Sequence, residues 1–97
     1  MRCARCLALW YIVTMVTKYI ERVQTGLRIE KRIMKVLKGL AEYHDITLGD
    51  LIEGIVLHAF EGKQPFGRES RKKIAELKKV YNLDLTSADS HTLAERG

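Results

Sequence analysis

Cysteine is scarce. The 97 residues hold two, Cys3 and Cys6, both in the opening "MRCARC". A secreted disulfide scaffold needs more of them, spread through the fold, so the setting reads as reducing and cytoplasmic. "CARC" could supply half of a four-cysteine zinc site completed across two chains. No histidine or further cysteine lies near enough to complete one in a single chain, so no metal and no cofactor are expected. His44, His58 and His91 stand far apart and form no ligand spacing. Also missing are a glycine-rich phosphate loop, an HExxH motif and a supported Ser/His/Asp set, so no enzyme is expected. No segment repeats.

Long apolar runs are absent too. "LALWYIVTMV", Leu7 to Val16, follows two arginines. It is shorter than the roughly 20 residues that span a bilayer, and no small-residue cleavage site follows it. Three readings stay open: an extra strand or helix, sequence upstream of a true start at Met15, or a membrane or export signal. No membrane partner is expected.

Positive charge, by contrast, is plentiful and uneven. The formal net charge is +5 and the pI about 9.4. Residues 1–62 contribute +2, residues 63–83 contribute +5 and residues 84–97 contribute −2. Such a balance suits a polyanionic partner, although charge alone implies only non-specific attraction.

Periodicity divides the chain. From Val23 to Ile29 the pattern has period two, the mark of a half-buried strand. Val23, Thr25, Leu27 and Ile29 share one face; Gln24, Gly26 and Arg28 share the other. From about Glu30 the period becomes helical, with Ile33, Val36, Leu37, Leu40 and Ala41 on one side. That helix should end near Tyr43–His44. Thr47 in "TLGD" is a good N-cap, and Asp50 sits where a capping-box carboxylate belongs. The second helix carries Leu48, Leu51, Ile52, Ile55, Val56, Leu57, Ala59 and Phe60, an apolar stripe wide enough to need burial on most sides. Gly54 in its middle costs about 1 kcal/mol against alanine, and a close helix crossing there would account for it. Gly62 and the single proline, Pro65, break the chain. A third, basic helix runs from about Arg68 to Tyr81, with Ile74, Leu77 and Tyr81 at helical spacing. The tail from residue 84 is polar and is expected to be loosely ordered.

A lone strand leaves its N–H and C=O groups unpaired. Residues 23–29 must pair either with the N-terminal apolar run or with their own copy in a second chain. The over-apolar second helix favours the copy, because one strand and two short helices cannot bury that stripe alone. The stretch "LRIEKRIMKVLKGLAEYHDITLGDLIEGIVLHAF" resembles the ribbon-helix-helix fold of Arc/MetJ-type repressors and many antitoxins. The likeness covers about Arg22 to Phe60 and rests on pattern, with no single invariant motif.

That resemblance implies a mainly α, intertwined homodimer. A two-stranded antiparallel ribbon would lie on a helical core of Leu27, Ile29, Ile33, Leu37, Leu51, Ile52, Ile55 and Phe60. It implies a sequence-specific regulator of transcription, bacterial or phage, whose ribbon enters the major groove of double-stranded DNA. Gln24, Gly26 and Arg28 match the base-contacting positions. Arg28 suits guanine O6 and N7, and Gln24 suits adenine. Gly26 departs from the pattern, having no side chain to read with. Thr47 and Leu48 match a phosphate anchor at a helix N-terminus, and Arg22 and Lys31 flank the strand as backbone contacts.

The organisation expected is an N-terminal extension over 1–20, the ribbon-helix-helix domain over 21–62, the basic helix over 63–83 and the polar tail over 84–97. The basic helix is open to three readings: a solvated face, a supplementary phosphate-binding surface, or a docking helix for a partner protein. The last would make the chain an antitoxin whose C-terminal part neutralises a toxin.

Overall fold

The computed structural model describes residues 18–95. The apolar run at Leu7–Val16 and "CARC" lie outside the described residues. Three helices follow one another: α1 (Lys31–His44), α2 (Leu48–Phe60) and α3 (Arg68–Val80). A single 3-10 turn at Ser87–Asp89 comes after them.

No strand occurs among the described residues, so the expected β-ribbon and the ribbon-helix-helix fold are not seen; the mainly α character is. The reason is the one that makes a lone strand costly. No backbone group of residues 18–29 bonds to another backbone group among the described residues. Alternation of apolar side chains makes a strand only when a neighbouring backbone completes the ladder. Without one, the segment is an irregular, exposed arm.

The helices begin and end on local signals. Glu30 caps α1, its carboxylate accepting from the N–H groups of Arg32 at 2.8 Å and Ile33 at 3.0 Å. Thr47 caps α2, its hydroxyl accepting from the Asp50 N–H at 3.1 Å. Only this half of the capping box forms there; a complete box holds the 3-10 turn instead, between Thr86 and Asp89. All three helices stop the same way. A residue in the left-handed region follows each: Asp45 (φ 59°), Gly62 (φ 70°) and Asn82 (φ 55°). At each stop the next N–H reaches back five residues, as in Ile46 to Ala41 and Lys63 to His58. Gly, Asn and Asp tolerate that conformation best.

α1 is the central helix, and both α2 and α3 pack on it. α3 runs antiparallel to α1. Arg32 near the start of α1 bonds to the Asn82 carbonyl and to Asp84 beyond the end of α3. Tyr43, near the end of α1, donates to Glu69 in the first turn of α3. Among the described residues the buried core is thin: Val36, Leu40, Ala41 and Leu51, with Leu40 only 1% exposed. Leu37, Ile55, Phe66, Ile74 and Leu77 pack around it.

The close helix crossing is at Gly39, not Gly54. A Cβ on Gly39 would stand 3.0 Å from a methyl of Leu77, whereas one on Gly54 would meet nothing within 4 Å. Val36, Gly39 and Tyr43 recur at spacings of three and four, the α1 side on which α3 lies. Gly39 is the smooth spot in that row.

The tail is more ordered than its polar composition implies. Besides the capped 3-10 turn, it returns to the first half of the chain through Asp84 and Glu95.

Candidate nucleic-acid interface

The residues expected to meet DNA lie on the exposed arm and at two helix starts. Gln24, Gly26 and Arg28 are all exposed. Arg28 presents both its Nε and an Nη to the carboxylate of Glu95. Arg22 forms the same fork with Glu53 on α2, at 2.8 and 2.9 Å. The hydrogen bond from Arg22 holds the Glu53 carboxyl below its ordinary pKa. Arg32 is shared by Glu30 and Asp84. Each arginine from 22 to 32 therefore has a carboxylate partner, a feature invisible in the sequence because the partners lie 31, 52 and 67 residues away or, for Glu30, in the cap itself. The Arg22 and Arg28 pairs are solvent-exposed and contribute little to stability, whereas Arg32 and Glu30 are part-buried.

Lys31, in the first turn of α1, is exposed and forms no ion pair among the described residues. Thr47 is exposed and Leu48 half-buried. The Thr47 hydroxyl satisfies one amide of the α2 start, and the N–H groups of Leu48 and Gly49 find no acceptor among the described residues. They mark a positive dipole end open to an anion. Asp50 beside them opposes that charge.

Of the residues expected in a shared core, Leu51 is buried and Ile33, Leu37, Ile52 and Ile55 are half-buried. Leu27 (72%), Ile29 (37%) and Phe60 (80%) are exposed within the single chain, as are Leu57 (63%) and Val23 (82%). Leu57 and Phe60, with Val56, occupy one side of α2, away from the Leu51 and Ile55 side that meets the core.

α3 carries most of the basic excess. Arg68, Arg71, Lys72 and Lys79 are exposed and Lys78 half-exposed. On another side of the helix, Lys73 pairs with Glu76 at 2.9 Å and lies over the Tyr43 ring. Tyr43 donates to Glu69 at 2.7 Å, and that bond raises its phenol above the ordinary tyrosine value. Ser70 and His44 bond at 3.0 Å. This polar strip joins α1 to α3. Sequence reading missed it; its one trace is that Glu69, Lys73 and Glu76 keep helical spacing.

Among the described residues, no group of three metal-ligating side chains comes together and no helix is long and apolar enough to cross a membrane. Comparison with protein families, with curated proteins and with solved structures yields no match to this chain.

Proposed function

We propose that the chain is a cytoplasmic, double-stranded-DNA-binding regulator of transcription that works as a homodimer. The observation that carries this reading is the exposed arm. On it, Gln24 and Arg28 project beside apolar side chains that a single chain leaves wet. Arg28 already holds a bidentate acceptor, the Glu95 carboxylate. The same donor fork fits guanine O6 and N7. Arg22, Lys31 and the open start of α2 at Thr47 and Leu48 supply phosphate contacts, which set position and not sequence.

Two further features support it. Among the described residues only four are buried, a thin core for 78 residues. Covering Leu57 and Phe60 with a second copy gains about 1.5–3 kcal/mol for each. The alternative, an antitoxin docking its toxin through α3, finds less support. α3 spends Ile74 and Leu77 on α1, leaving mainly charge for a partner.

A gel-shift series in rising salt tests the reading, together with selection of bound sites from random duplexes. Binding that weakens steeply with salt and selects a two-fold repeat supports a dimeric reader. Selection of no sequence at all would sink it.

A further inference from the structure

Resting on that DNA-binding reading, we propose that the outer face of α3 is a second, sequence-independent surface that tracks the phosphate backbone of duplex DNA. α3 divides into three sides. One, with Ile74 and Leu77, packs on α1 and the core. A second holds Glu69, Lys73 and Glu76, each engaged in a hydrogen bond or ion pair. The third carries Arg68, Arg71, Lys72, Lys78 and Lys79 within an arc of about 120° at 3.6 residues per turn. None of these five makes an ion pair among the described residues. The carboxylates of α3 are all on the other polar side. The segregation is therefore built into the helix: the cations gather on a side with no carboxylate in ion-pair range, although Glu76 attracts Lys72 and Lys79 from the neighbouring side.

That gathering has a cost which a merely solvated face avoids. Arg68 and Arg71, and Arg68 and Lys72, are like charges at i,i+3 and i,i+4, each pair destabilising by roughly 0.2–0.5 kcal/mol. Arg68 and Arg71 also sit in the first turn, where the helix dipole is already positive and disfavours cations. Gly67 provides no side-chain cap there. Glu69 in the same turn offsets part of this charge, but two arginines and the dipole leave that end of the helix positive. A polyanion turns each of these penalties into attraction.

The dimensions fit a nucleic-acid backbone. From Arg68 to Lys79 the stripe runs about 16 Å at 1.5 Å per residue. That is about five base-pair steps of one strand at ~3.4 Å each. Ala75, the small exposed residue in mid-stripe, lets the helix lie close to a backbone.

The full chain is titrated onto two labelled duplexes, the selected site and a scrambled one, across about 50 to about 200 mM salt, by fluorescence anisotropy. The variants are Arg71→Ala and the double variant Lys72→Ala/Lys79→Ala. These exposed positions accept alanine with no loss of helix propensity, and circular dichroism checks the fold. Lys63→Ala, which removes an exposed lysine off the stripe, is the control. Each contact removed should flatten the salt slope by about 0.9, or roughly 3.5-fold in affinity over that range, equally on both duplexes. Unchanged slopes in the α3 variants beside a steep wild-type slope overturn the α3 surface and leave the arm's role standing. Loss confined to the selected site overturns it too, because α3 would then be reading bases. A wild-type chain with no salt-dependent binding removes the DNA-binding reading and this one with it.

Discussion

Replacing Gly39 by alanine should have the opposite sign from replacing Gly54, although both glycines lie inside exposed-to-half-buried helices. In an unobstructed helix interior the change from glycine to alanine gains about 1 kcal/mol. Gly54 is unobstructed, with open space where its Cβ would go, so Gly54→Ala should show the whole gain. At Gly39 the new Cβ would stand 3.0, 3.3 and 3.7 Å from three carbons of Leu77. Overpacking of this kind costs about 1–3 kcal/mol, leaving Gly39→Ala between neutral and ~2 kcal/mol destabilised after the propensity gain. The obstruction is a single side chain, so a double-mutant cycle isolates it. In a Leu77→Ala background the three nearest carbons are gone, and Gly39→Ala should become stabilising by about 1 kcal/mol. Urea unfolding followed by circular dichroism measures all the corners of the cycle. In thermal melts each kcal/mol appears as about 4–8 °C. If Gly39→Ala stabilises equally with and without Leu77, α3 does not cross α1 at that glycine and the packing described above is wrong.

Stability should also fall in acid through identifiable groups. The hydrogen bond from Arg22 lowers the Glu53 carboxyl, and that from Lys73 lowers Glu76. At Glu30, desolvation pushes the carboxyl up, but the bonds from Arg32 and from the Ile33 N–H outweigh it and leave it low. A carboxyl lowered in the folded state adds stability above its unfolded pKa and loses it as pH falls through the folded value. The urea midpoint should therefore hold from neutral pH to about pH 5 and then decline. Glu53→Gln should soften that decline; an identical acid profile would show that the Arg22 pair contributes nothing. Arg28→Ala should cost about 1–3 kcal/mol at a selected site and relax base preference there, whereas equal loss on every duplex would reduce Arg28 to a phosphate contact. Leu57→Glu with Phe60→Glu should convert the proposed dimer to a monomer in sedimentation equilibrium, and an unaltered dimer would place the interface elsewhere.

Much of the helical architecture was legible because its signals are local. Thr47 is a cap that acts within three residues, and the turn to helical spacing near Glu30 marks the start of α1. Gly62 and Pro65 stop α2 without help from elsewhere, and the positions of Ile74 and Leu77 show which side of α3 meets the core. The tail's order was not legible, because Asp84 and Glu95 earn their places through arginines far back in the chain. The crossing at Gly39 was hidden for the same reason: Gly39 and Gly54 are equivalent as mid-helix glycines until a neighbour approaches one of them. Candidate site residues stood out by type and register, but the carboxylates that hold Arg22, Arg28 and Arg32 did not.

The amino-acid order alone determined where helices start and stop, which helix faces are apolar, and that positive charge concentrates in one of them, since each follows from interactions within a turn or two. Tertiary structure decided what happens to residues 23–29. Their alternation states a preference for a sheet, but a strand's hydrogen bonds are satisfied only by another backbone, and among the described residues none lies alongside. A helix closes its bonds within itself and can be read from its own residues. A strand depends on a neighbour that its own sequence does not contain.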